Sequence, residues 1–120
     1  MPTKSEKVML EAIANIEALV DYAVERVAQP PRGPAAEVGH YRTLNGLKLN
    51  ARQREALRTL LEETAFNVAI SIFALLDNAL EVDIEEFPDV AVVEKVSGQP
   101  LAPSLAQAFE RLWNEGAGEE

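Results

Sequence analysis

His40 is the only histidine in the chain, and Glu37 stands three residues before it. Glu-x-x-His places two ligands on one helix face in di-iron bundles, which need the motif on two helices. Here it occurs once, in a stretch that holds Gly39 and follows Pro34, so no metal site is expected. The chain has no cysteine, which excludes thiolate nucleophiles, disulfides, iron–sulfur clusters and cysteine-ligated zinc. A serine triad would have to use His40 as its base. No Gly-x-Ser-x-Gly turn is present, and Ser5, Ser71, Ser97 and Ser104 all suit capping or packing roles. Gly33, Gly39 and Gly46 lack the Gly-Lys-Ser/Thr ending of a phosphate loop. Residues 77–82 lack the alternating oxygen ligands and the glycine of a calcium loop. Paired carboxylates stay open, because acids are many. No catalytic residue, metal or cofactor is expected.

The acids carry more information. There are 20 acidic and 11 basic residues, a net charge of −9. Residues 1–60 hold nine bases and seven acids, whereas residues 61–120 hold two bases and thirteen acids. Residues 77–94 contain seven acids and no base: Asp77, Glu81, Asp83, Glu85, Glu86, Asp89 and Glu94. Nucleic acid is an unexpected partner for such a chain, since phosphate binding needs a basic surface. A basic protein is the partner that this field would steer. Asp77, Glu81, Asp83, Glu85, Glu86 and Asp89 are the candidate partner-binding residues. The competing reading is a solvated face that keeps the protein soluble.

These groups must be positioned by helices. Met9, Ile13, Ile16, Val20, Ala23 and Val27 recur at spacings of four and three, which predicts an amphipathic helix over residues 4–28. Thr3 and Glu6 have capping-box spacing, and Gln29-Pro30-Pro31 ends the helix. Residues 29–49 hold three prolines and three glycines without a period and read as a long connection, pinned by Tyr41, Leu44 and Leu47. A second helix is predicted over residues 51–80, with Asn50 and Gln53 as its capping box. Its stretch 64–76 is thirteen residues without a charge and apolar nearly all round. Such a helix must be covered on every side, so it is expected to form the dry centre of the molecule. Thr64, Asn67 and Ser71 draw a polar stripe along it, to be satisfied by backbone, by a helix–helix contact or by a ligand.

The β-branched run in residues 90–96, followed by Ser97-Gly98-Gln99-Pro100, predicts a small strand or hairpin near 90–103. A short third helix is expected over residues 105–114, with Ser104 and Gln107 as a capping box, Gly116 at its end and a frayed tail over 116–120. The expected architecture is a single mainly α domain, residues 1–120: two long antiparallel helices, a short third helix and a small β element. Two like-charge ladders support the antiparallel pairing. Glu17, Asp21 and Glu25 crowd the first helix, and Arg54 and Arg58 the second. Such pairs destabilise an isolated helix by roughly 0.2–0.5 kcal/mol each, and side by side, with Arg52, they would relieve one another.

The N-terminal segment is broken by Glu11, Glu17 and Asp21 and carries no signal-peptide core. The uncharged apolar run 64–76, thirteen residues, is short of the roughly 20 needed to span a bilayer. A cytoplasmic protein without membrane contact is expected. The reading that follows first is a non-catalytic protein-binding module, an inhibitor or immunity-type partner of a basic protein. The alternative is a homodimeric structural or scaffold protein associating through helix 51–80. A small-ligand carrier or enzyme with a pocket near Asn67, Ser71 and Tyr41 ranks below both.

Overall fold

The computed structural model describes residues 2–78, 85–86, 88–101 and 105–118. They are mainly helical: α1 (Lys4–Ala28), α2 (Ala35–Gly46), α3 (Ala51–Leu76) and α4 (Leu105–Gly118). The chain divides into two compact units, Met1–Ala14 with Phe66–Glu120 and Asn15–Ala65. Each long helix contributes to both units.

In the unit Asn15–Ala65, α1 buries Val20 and Val27 on its predicted stripe. The helix stops at the Pro30-Pro31 pair, and the Asn45 amide donates to the carbonyls of Val27 and Ala28 at 2.9 and 3.2 Å. Those acceptors would otherwise lack helical partners. Asn45 belongs to α2, which corrects the reading of residues 29–49 as an unstructured connection. Pro34 occupies the N-cap of α2, where a missing N–H carries no penalty, and its carbonyl receives the Glu37 and Val38 amides, both at 3.0 Å. Val38 is buried, and Arg42 donates to the Gly33 carbonyl at 2.7 Å. Local pattern could not reveal α2, because Gly39 weakens it and only one of its residues is buried; tertiary contacts override a weak propensity. Of the expected pins, Tyr41 and Leu44 are half-buried but Leu47 is exposed.

The capping box of α3 forms as its spacing predicts. The Gln53 amide donates to Asn50 Oδ1 at 2.8 Å, and the Asn50 amide to Gln53 Oε1 at 2.9 Å. Of the two like-charge ladders, Asp21 and Arg58 form an ion pair. That carboxylate raises the Arg58 guanidinium above its usual pKa. Among the described residues Glu17, Glu25, Arg52 and Arg54 have no ion-pair partner.

The unit of Met1–Ala14 and Phe66–Glu120 is built around α4. Leu105 and Phe109 are buried, as are Met9 and Ile13 of α1. Phe109 stacks on Phe66 with 5.6 Å between ring centroids and lies 5.1 Å from Phe73 and 5.8 Å from Trp113. Trp113 in turn lies 5.4 Å from Phe66. Successive α4 residues thus meet progressively earlier residues of α3, so the two helices run antiparallel here. Aromatic pairs at such offsets add about 0.5–1.5 kcal/mol each beyond burial. Thr3 and Glu6 form their capping box at 3.0 and 3.1 Å, and Arg111 donates to Glu6 at 2.8 Å.

The expected strand or hairpin near 90–103 is corrected. The described residues contain a turn closed by one antiparallel bridge, Val93 to Pro100, and no strand. Pro100 has no N–H to continue a ladder, and Gly98 takes the left-handed conformation, φ 71°, that the turn needs. The turn is tied to the start of α1 through Ser5 Oγ, which donates to the Leu101 carbonyl at 2.9 Å, and through the Lys4–Glu94 ion pair. The end of α4 also differs from expectation. The helix passes Gly116 and reaches Gly118, since Gly116 does not adopt a positive φ. Residues 119–120 lie outside the described residues, as do Ser104 and the expected continuation of α3 over 79–80.

Candidate functional site

The six acidic candidates fall into three situations. Asp77, half-buried at the end of α3, accepts hydrogen bonds from the Leu105 and Ala106 amides at 3.1 and 2.9 Å. Its carboxylate therefore caps α4 from 28 residues away in sequence, satisfying donors that have no partner within their own helix. The negative charge also suits the positive end of the helix dipole. Glu81 and Asp83 lie outside the described residues. Glu85, Glu86 and Asp89 are exposed. Glu86 sits in the left-handed region, φ 56°.

Asn78 fixes Val90, the residue after Asp89. It is itself left-handed, φ 57°, a conformation that asparagine tolerates better than most residues. Its side-chain amide donates to the Val90 carbonyl at 2.8 Å, and its Oδ1 accepts the Val90 N–H at 3.2 Å. The side chain thus imitates one residue of a strand and holds Val90 at the end of α3. Asp89, one residue earlier, is held there too.

The second feature is α3 itself. The dry-centre expectation for residues 64–76 is overturned: α3 has no buried residue. Along the helix, exposed pairs recur every four residues, at 59/60, 63/64, 67/68 and 71/72, while the pairs between them are half-buried. Leu60, Val68 and Ile72 are 60%, 55% and 50% exposed. Thr64, Asn67 and Ser71 share that uncovered strip, so the polar stripe faces outward rather than into a core. Ser71 Oγ donates back to the Asn67 carbonyl at 2.8 Å, the local bond by which serine satisfies itself within a helix. The physical reason is geometric. Five of the eight exposed positions are polar (Thr59, Glu63, Thr64, Asn67 and Ser71) and three apolar (Leu60, Val68 and Ile72), and this single chain covers the other side of α3.

Nothing in the described residues assembles a catalytic or metal centre around His40. The ring is exposed and packs against Tyr41 with 4.0 Å between centroids. Among the described residues no group of three or more potential metal ligands comes together. Nearby, the Arg26 guanidinium lies 4.0 Å over the Tyr22 ring and 5.5 Å from the centre of the Tyr41 ring. This cation–π contact covers part of the exposed end of α1. Sequence reasoning passed over Asn45, the bonds of Asn78 to Val90 and the capping role of Asp77. Each bonds a backbone far away in sequence, and only an asparagine or aspartate near a helix end hinted at it.

By length and composition α3 is apolar enough to cross a membrane. No family model matches the chain, and no curated protein or solved structure shows significant similarity to it. The candidate site rests on its own geometry: an uncovered strip on α3 that sets Leu60, Val68 and Ile72 among polar residues, with Val90 clamped at the C-terminal end of the helix.

Proposed function

We propose that this protein is a non-catalytic association module that works as a homodimer, joined through the uncovered strip of α3. The observation that supports this is the burial pattern: α3, which carries the thirteen-residue uncharged run, has no buried residue. Exposed apolar strips on soluble proteins mark interaction surfaces. A self-complementary contact across a two-fold axis is the commonest way to cover one. Residues 64–76 carry no charge, so two copies of net charge −9 can approach there without opposing like charges.

A bilayer is the rival environment for α3. Its uncharged run of thirteen residues is about 20 Å long as a helix, against a hydrocarbon core of about 30 Å. Arg58, Glu62 and Glu63 precede that run, and charges are costly at membrane depth. A basic protein partner is the second reading, supported by the exposed Glu85, Glu86 and Asp89; it is compatible with a dimer.

Light scattering on the full chain, with Val68→Glu/Ile72→Glu as the comparison, tests the proposal. We expect a dimer at micromolar concentration and a monomer for the double variant, with unchanged circular dichroism. A monomeric parent chain, or recovery of the chain only in the membrane fraction, refutes it.

A further inference from the structure

The C-terminal end of α1 lacks donors of its own. In a continuing helix the next amides would bond the Arg26 and Val27 carbonyls, but those residues are Pro30 and Pro31, which have no N–H. The Asn45 side chain supplies the missing donor, its Nδ2 reaching the Val27 and Ala28 carbonyls at 2.9 and 3.2 Å. We infer that Asn45 is also a site of spontaneous covalent modification, in which attack by the Gly46 nitrogen converts this amide to a carboxylate and α2 loses its tie to α1.

Of the six asparagines in the sequence, Asn45 alone is followed by glycine. A side chain on the following residue hinders approach of its backbone nitrogen, and glycine has none. In the reaction the Gly46 nitrogen gives its proton to water and attacks Asn45 Cγ. A C–N bond forms, the Cγ–Nδ2 bond breaks, and Nδ2 takes up a proton and leaves as ammonia. Water then opens the cyclic imide at either carbonyl and leaves aspartate or isoaspartate at position 45. Overall, water is consumed and ammonia released, and nothing is oxidised or reduced.

The fold gives this pair the access it needs. Asn45 and Gly46 are exposed and end α2. Beyond them the chain is held by a tightened turn, with the Leu47 N–H on the Leu44 carbonyl at 3.2 Å and the Lys48 N–H on the Asn45 carbonyl at 3.0 Å. Helix ends of this kind open without global unfolding. Nothing in the backbone demands glycine at position 46. The left-handed residue of the turn is Lys48, φ 52°, and a Cβ added at Gly46 meets nothing within 4 Å. The consequence of conversion follows from the same contacts. The donor is replaced by an oxygen, and a carboxylate faces two carbonyl oxygens that have lost their partner. Its negative charge also opposes the negative end of the α1 dipole.

Gly46→Ala separates the chemistry from the fold, because the added methyl has room. Full-length parent and Gly46→Ala chains are incubated, folded, in mildly alkaline buffer, and peptide mass mapping with isoaspartate detection follows every asparagine. Asn45 is expected to convert ahead of all the others, and Gly46→Ala to slow its conversion about tenfold with unchanged circular dichroism. In a second arm, amide hydrogen exchange compares the fresh parent with its converted product and with Asn45→Asp, which carries the carboxylate from synthesis onward. Both are expected to exchange at least about fivefold faster over α2 than the fresh parent. Conversion at Asn45 no faster than at the other asparagines overturns the inference, as do equal rates in the parent and Gly46→Ala. Exchange over α2 that is the same before and after conversion overturns the loss of the tie. If Asn45→Asp does not fold, the converted parent carries the second arm, since that chain was folded before it reacted.

Discussion

α1 and α3 are nearly equal in length, 25 and 26 residues, yet they are buried in opposite ways. α1 hides Met9, Ile13, Val20 and Val27 along one stripe and leaves Val8, Leu10, Leu19 and Tyr22 exposed. α3 is the more continuously apolar and hides nothing completely. The difference teaches that burial follows the supply of neighbours. A narrow stripe is satisfied by whatever lies along one side. An all-round apolar helix asks for more surface than one chain of 120 residues provides. What remains on α3 is an ordered row of exposed residues four apart, the kind of ridge by which helices interlock.

The sharpest way to break this comparison is to truncate one side chain from each class. Phe109→Ala removes a fully buried ring that touches Phe66, Phe73 and Trp113 and is expected to destabilise the fold by about 3–5 kcal/mol in urea unfolding. Val68→Ala, measured at concentrations low enough to separate the copies, is expected to change stability by no more than about 0.5 kcal/mol. If both variants lose a similar amount, the strip on α3 is covered within one chain and the contrast fails.

A smaller effect sharpens the role of the α3 terminus. Asp77→Ala leaves the Leu105 and Ala106 amides without their acceptors, for an expected loss of about 1 kcal/mol. Faster hydrogen exchange in the first turn of α4 would localise that loss. Unchanged exchange there would show that the cap contributes nothing. Its outcome bears on the acidic segment too, since a capping carboxylate is not free to meet a partner.

The smallest effect is expected at the start of α1. The Thr3 backbone N–H and the Arg111 guanidinium hold the Glu6 carboxyl down to about 2, against an ordinary value of 4.5. A carboxyl depressed in this way adds stability above pH 4.5 and loses it as pH falls toward 2. The group is at the surface, so solvent screens the effect. Glu6→Gln should flatten part of the decline in stability between those pH values. An identical acid profile for the variant would mean that the ties to Thr3 and Arg111 do not persist in solution.

Local chemistry was legible wherever partners are close in sequence. The α1 stripe, the Thr3–Glu6 and Asn50–Gln53 boxes and the Pro30-Pro31 stop depend on residues within a turn or two of each other, and spacing alone specifies them. The Asp21–Arg58 pair was legible for a different reason: two unfavourable ladders of opposite sign imply each other. The Glu85, Glu86 and Asp89 cluster was visible as composition. Its placement was not, because that depends on Asn78 reaching Val90 across the chain.

What the amino-acid order determined by itself was the mainly helical class, the starts of α1, α3 and α4, the charge asymmetry and the absence of cysteine chemistry. Tertiary structure alone decided that residues 35–46 form α2, that Val93 and Pro100 meet in one bridge rather than a strand, and that α3 stays uncovered. The cause is common to all three. A helix with a weak pattern, a ladder interrupted by proline and an apolar surface awaiting neighbours are each settled by what packs against them, and spacing along the chain carries no record of that.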